Sequence, residues 1–314
     1  MLLGEHAVLH GRRALVCAIN KRITVSLSQL EKPNLRIVSD LGPYEAPLGA
    51  LKDHPDFRFV LDAVRQYPLE RGVELKIESE FSSDIGFGSS AAVTVATHAA
   101  LMNNPPRPSL CSGHPSHGGD LLNSPPPEGC PQGGVGSFHL TFSNELFKRS
   151  LATIHRVQGR GSGADVAASV FGGVVAYRAE PLEIVSLKQS FPLTAVYSGS
   201  KMKTADVIRY LEERRALNAD YFERIFDRMD TSVGEVMDDF SQLGRMLILN
   251  QKLMEEMGLC NAALAEIIEG FKTLGAPAKI SGSGLGDCAI GLGSFPADRK
   301  HSVYPLMVSS EGVR

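Results

Sequence analysis

The sequence predicts an α+β protein in two lobes. Strand-like alternation dominates residues 14–80, helical patterns fill 204–273, and strand-like segments return at 278–293. Residues 14–28 ("ALVCAINKRITVSLS") are rich in Val and Ile and read as strand, as do 34–38 and 73–80. Between the last two, 56–66 spaces its apolar residues for a short amphipathic helix. Ser89 to about Met102 is Ala, Val and Thr throughout, without Gly or Pro after Gly88, and reads as helix. A helical pattern over 144–157 precedes the loop "QGRGSGAD" (158–165), an Ala/Val helix and the strand 172–178. A strand at 193–198, helices at about 204–228, 231–256 and 261–273, a strand–turn–strand at 278–293 and a final strand complete the order. The lobe boundary is expected at 179–192, giving lobes of 1–180 and 181–314.

The chain of 314 residues is 43% hydrophobic and 21% charged with net charge −3, the composition of a globular enzyme. Near-neutrality gives no reason to expect nucleic acid or a membrane surface as partner, and no apolar run reaches the roughly 18 residues of a membrane span. The first residues lack the basic and apolar regions of a secretory signal. The cysteines (17, 111, 130, 260 and 288) form no CxxC pair. This argues for a reducing, cytoplasmic setting and against zinc.

Residues 103–136 hold eight of the 18 prolines and seven of the 31 glycines. Pro removes donors and Gly costs backbone entropy, so a packed element is not expected here. About 103–143 therefore reads as an insert foreign to the fold. Its cysteines and histidines invite a metal reading, but their neighbours offer no scaffold to orient ligands.

Three glycine-rich turns carry the chemistry. Around Gly86, Phe87, Gly88, Ser89 and Ser90, the glycines let backbone N–H groups turn inward, and the following helix adds its free N–H groups and positive dipole end. Serine hydroxyls there suit phosphate oxygens or Mg²⁺. The competing reading is that Ser89 only caps the helix. In the second turn, Gly159 to Asp165, the aspartate either caps a helix or orients a hydroxyl nucleophile beside a phosphate site. The third, Ser281 to Asp287, has more glycines than a hairpin needs.

"LLGEHAVLHG" (2–11), "GFGSSAA" (86–92) and "KISGSGLGDCAIGLG" (279–293) resemble, in order, the three motifs of the GHMP small-molecule kinases, most closely their mevalonate kinase branch. "GSGADVAASVFGG" (161–173) and "LILNQKLMEEMGL" (247–259) extend the likeness to all but about 103–143. The resemblance implies a lobe like domain 2 of ribosomal protein S5, a ferredoxin-like α/β sandwich, and an active site in the cleft between them. It implies ATP-dependent phosphorylation of mevalonate at its C5 hydroxyl, with Mg²⁺, in isoprenoid synthesis, and a homodimer. By position, Gly86, Gly88, Ser89, Ser90 and Ala91 would hold the ATP phosphates, braced by Gly282, Ser283 and Gly284, with Ser90 facing Mg²⁺. Asp165 would be catalytic, taking or orienting the hydroxyl proton; Glu5, His6, Gly161, Ser162 and Thr204 would lie on the substrate side.

Three departures bear on activity. The family's Pro-Gly-Lys-Val ahead of this first motif is absent from the sequence, and with it a lysine that neutralises charge, so reduced activity is expected. The family's magnesium-binding glutamate, eleven residues before the aspartate, falls on Ile154, next to His155. The insert replaces a helix-and-loop region. Phosphomevalonate kinase is the neighbouring reading, since its aspartate segment is similar and an Asp stands in its third motif as Asp287 does here. Arg160, Lys201 and Lys203 are candidate cations for such a substrate. A nucleotide binder without catalysis is the reading from another class.

Overall fold

The computed structural model describes residues 1–82, 85–103, 135–297 and 300–314, with backbone alone for 135–140. In chain order come β1 (Ala14–Cys17), β2 (Ile23–Leu30), β3 (Asn34–Ser39), β4 (Gly42–Pro47), α1 (Arg58–Val64) and β5 (Gly72–Ser79). Next are α2 (Ser89–Asn103), α3 (Val135–Gln158), α4 (Ala164–Phe171), β6 (Val174–Arg178), β7 (Glu183–Leu187) and β8 (Pro192–Tyr197). The remainder is α5 (Thr204–Leu217), α6 (Ala219–Asp238), α7 (Leu243–Glu256), α8 (Ala262–Thr273), β9 (Ala278–Ser281), β10 (Cys288–Gly291) and β11 (Ser302–Met307).

The strands form three sheets, ordered β1-β6-β7, β2-β5-β3-β4 and β11-β8-β10-β9. All neighbours are antiparallel except β3 and β5. In the second sheet Leu35, Ile37, Val73 and Leu75 point to one face and pack on α1, so the period-2 pattern of the sequence becomes a one-sided core. In the third, Ile280 and Ala289 receive the apolar stripes of α6 (Phe222, Ile225, Phe226, Met229), α7 and α8.

A separate core joins the first and third sheets. Leu2, Leu3, Leu15 and Val174 pack with Ala195, Leu306 and Val308, all within 3% of full burial except Leu306. Isolated bridges Leu3↔Leu15 and Ile19↔Val308 run along this seam. Each such Leu or Val side chain contributes roughly 1.5–3 kcal/mol of burial, enough to fix the two halves against each other where the glycine turns meet.

Several elements differ from the sequence expectation. The strand expected over 14–28 is two, because β1 and β2 belong to different sheets. β4 and β7 were not expected. The helices expected at 204–228 and 231–256 break instead at Asn218 and Asp239. Asn218 accepts a hydrogen bond from the Tyr221 N–H and caps α6, and Asp239 accepts from the Ser241 N–H. α3 starts at Val135, so the end of the expected insert, 135–143, is helical. The bulk of that insert, with Cys111, Cys130, His114 and His117, lies outside the described residues. Among the described residues no helix is long and apolar enough to cross a membrane.

Candidate active site

The phosphate-type turn is set by Gly86 and Gly88, whose φ values of 77° and 76° lie in the left-handed region. α2 starts at once, its first helical bond running from the Ala92 N–H to the Gly88 carbonyl at 3.0 Å. The N–H groups of Ser89, Ser90 and Ala91 precede that bond and have no carbonyl in their own helix to meet. Phe87, between the glycines, packs on Phe81 and edge-on against Tyr304 of β11, with centroids 5.8 and 5.5 Å apart. An apolar ring thus pins the loop to the other half of the molecule.

Two carboxylates flank this loop. A Cβ built on Gly88 would lie 3.6 Å from Asp165 Cγ, and one built on Gly86 would lie 3.0 Å from Asp287 Cγ. Residues 77 positions apart in sequence are thereby joined: the sequence-predicted phosphate turn and Asp165 are neighbours. Asp165 stands in the first turn of α4 and is exposed. Its segment is fixed from behind. The Tyr177 hydroxyl donates to the Ser162 carbonyl at 2.5 Å, and the Ala164 N–H donates to Ser162 Oγ at 3.3 Å. Burial pushes the Tyr177 hydroxyl up to about 12, so it stays a donor. His155 Nε2 donates to the Gly161 carbonyl at 2.9 Å, and Ile154 is buried in the core at 5% exposure. The helix facing this loop therefore supplies support and no carboxylate at position 154.

A cavity of about 120 Å³ opens beside the pair, lined by Asp165, Gly88, Phe87, Phe81, Lys21 and Arg22, with Glu311 to Val313 along one edge. Sequence reasoning missed Lys21 and Arg22 as cavity residues. They directly precede β2, and the signal was two cations ("NKR") interrupting an otherwise apolar strand pattern.

The third turn joins β9 to β10. Gly284 has φ 87°, and a Cβ there would lie 2.7 Å from the Leu259 carbonyl oxygen, which instead accepts the Leu285 N–H at 2.8 Å. Asp287 also has positive φ, 61°, uncommon for a residue with a side chain. Its N–H donates to the Ser200 carbonyl at 2.8 Å and its carbonyl accepts the Ser198 N–H at 2.9 Å. Lys201 Nζ is 3.8 Å from its Oδ1. Burial raises its pKa, with Lys201 opposing. Next to it, the buried Cys288 thiol, pushed up to about 12, donates to the Ile85 carbonyl at 3.2 Å.

Glu5 and His6 reach the third turn and do not line the cavity. Glu5, 2% exposed, pairs with the wholly buried Lys279, and Asn250 Nδ2 donates to its other oxygen at 3.0 Å. The Asn250 side chain also accepts the Gly4 N–H at 3.3 Å. His6 Nε2 donates to the Ser283 carbonyl at 2.8 Å, and burial lowers the His6 pKa, keeping it neutral. Thr204 is exposed at the start of α5, two residues beyond the 200–202 stretch that packs on Gly286.

A magnesium site of oxygen ligands finds partial support in these residues. Among the described residues no group of three or more His, Cys, Asp or Glu side chains is placed to hold a metal. Ser90 is half-buried in the first turn of α2, and Asp287 Oδ1 is buried without a hydrogen bond. Mg²⁺ often takes one or two protein groups and completes its shell with phosphates and water, so this set fits.

Residues 57–105 match the model of the GHMP kinases N-terminal domain and residues 232–301 that of the GHMP kinases C-terminal domain. The chain is 30% identical over 319 residues to mevalonate kinase of Archaeoglobus fulgidus, covering 100% of this chain and 96% of the relative. Its fold matches L. major mevalonate kinase in complex with R-mevalonate at TM-score 0.70 and 20% identity, covering 99% and 94% of the two chains. It also matches Streptococcus pneumoniae phosphomevalonate kinase in complex with phosphomevalonate and AMPPNP at TM-score 0.67 and 20% identity, covering 94% and 90%.

Proposed function

Because the chain belongs to the GHMP kinase family, we propose that it transfers the terminal phosphoryl group of ATP to the C5 hydroxyl of mevalonate. The observation that carries this reading is the contact of Gly88 with Asp165 at the edge of a cavity. It sets a proton acceptor beside a loop built to hold phosphate. The curated relative named mevalonate kinase, matched over the whole chain, supports this choice of acceptor.

In this reading the N–H groups of Ser89, Ser90 and Ala91, at the positive end of α2, hold phosphate oxygens. Asp165 receives the proton of the attacking hydroxyl, and its exposure to the cavity leaves its lone pairs available. Lys21 adds positive charge along the cavity wall, where Arg22 is paired with Glu311, and Phe81 and Phe87 keep one side dry. Ser90 and Asp287 are the residues that would hold Mg²⁺. That ion, when bound with ATP, neutralises the transferring phosphoryl group. Glu5 and His6 act at a distance, by holding the third turn in place. Gly161, Ser162 and Thr204 remain assigned to the substrate side, and Ser283, whose carbonyl accepts from His6, to the bracing of the phosphate turn.

A second reading, phosphomevalonate as acceptor, is favoured by Lys21 and Arg22 in the cavity wall, since a phosphorylated substrate calls for cations. A coupled ADP-release assay with each acceptor decides. Turnover with mevalonate alone is expected. Turnover with phosphomevalonate alone would select the second reading, and none with either would overturn the kinase reading.

A further inference from the structure

Asp287 is built at some cost. It has left-handed backbone, its residue is 8% exposed, and its carboxyl carbon and Oδ1 lie 3.0 Å from where a Cβ on Gly86 would stand. Oδ1 accepts no hydrogen bond among the described residues, and its nearest charge is Lys201 Nζ, 3.8 Å away. An ordinary turn residue would satisfy its carboxylate or point it to water. Here the strained backbone instead aims it at the loop that must hold phosphate, where a carboxylate balanced only by Lys201 at 3.8 Å repels the ligand.

A divalent cation between the two removes that conflict. We propose that Asp287, presented by the C-terminal half, is the carboxylate ligand of the nucleotide-bound Mg²⁺. It would thereby replace the family's glutamate position, which is Ile154 in this chain and lies buried in the core. Ser90 approaches the same loop from α2, so the cation ties the two halves together through one group from each. Lys201 balances the charge of Asp287 when no metal is bound. The inference rests on the kinase reading above.

The test reads binding. AMPPNP affinity is measured by calorimetry with Mn²⁺ and again with EDTA, for the wild type, Asp287→Asn and Lys201→Met. Asn keeps the shape and tolerates left-handed backbone, so folding is preserved. The wild type should prefer Mn²⁺–AMPPNP over metal-free AMPPNP, and Asp287→Asn should cut that preference about tenfold or more while leaving metal-free affinity equal or tighter. Lys201→Met should enlarge the preference, since Asp287 then loses its balancing charge in the metal-free state. An Asp287→Asn protein with wild-type metal preference, or with equal losses in both conditions, would overturn the assignment. A wild type that binds AMPPNP in neither condition would overturn the kinase reading itself.

Discussion

Two groups of charge sit where the halves of this molecule meet, and they are built in opposite ways. Glu5, Asn250 and Lys279 form a sealed set: the ammonium is 0% exposed, the carboxylate residue 2%, and both carboxylate oxygens are engaged. Asp165, a short way along the same junction, is exposed to a cavity and faces backbone across a glycine. A buried pair with both oxygens engaged fixes geometry and is closed off from a substrate. A charge left open beside a glycine turn is available for chemistry. The contrast separates Glu5 and Lys279, which join the halves, from Asp165, which is left open to a cavity.

The sharpest way to break the comparison is to unpair the sealed set. Lys279→Met leaves Glu5 buried without its partner and should destabilise the protein by about 3–5 kcal/mol in chemical denaturation. The double variant Glu5→Leu/Lys279→Met should recover most of that loss. If Lys279→Met unfolds with wild-type stability, the set is not holding the junction.

Next in size is an effect of pH on another sealed group. His98 is 0% exposed, its Nδ1 hydrogen-bonded with the Tyr67 hydroxyl at 2.9 Å and its Nε2 with Thr153 Oγ1 at 3.0 Å. Burial lowers its pKa from 6.5 to about 4. The unfolded chain therefore takes up the proton first as pH falls. The stability His98 contributes is complete above pH 6.5 and is lost progressively toward pH 4, by about 3 kcal/mol. His6, also lowered by burial, acts in the same direction. Denaturation followed at several pH values should show the slope, and His98→Gln should flatten it.

A smaller effect belongs to the open group. Gly88→Ala forces a side chain into left-handed backbone, costing about 1–2 kcal/mol, and sets a methyl against Asp165. Its larger consequence should be weaker AMPPNP binding, read by calorimetry. Unchanged binding would mean that the turn does not hold phosphate.

How much of this was legible in the sequence follows from the range over which each signal acts. The turn at Gly86–Ser90 was visible because glycines, serines and a small-residue helix lie together, and the density at Gly282–Gly286 marked the third turn in the same way. The closeness of Gly88 to Asp165 was implied by resemblance only; no local pattern encodes it. Helix boundaries slipped because Asn218 and Asp239 cap or break by side-chain bonds that look like ordinary polar residues in a helical pattern. β4, "GPYEAP", has a proline near each end and sits at a sheet edge, where ladder donors are dispensable. The role of Glu5 was the least legible. Its partner Lys279 is 274 positions away, and the one local hint was a lysine inside the otherwise apolar strand β9.

The central claim is that Asp165 performs the chemistry while the buried groups only position it, and a rate comparison tests it most directly. ADP release in the presence of mevalonate should fall by about 10²–10⁴ in Asp165→Asn, with AMPPNP affinity and unfolding midpoint near wild type. An Asp165→Asn enzyme that kept most of its turnover would contradict the account.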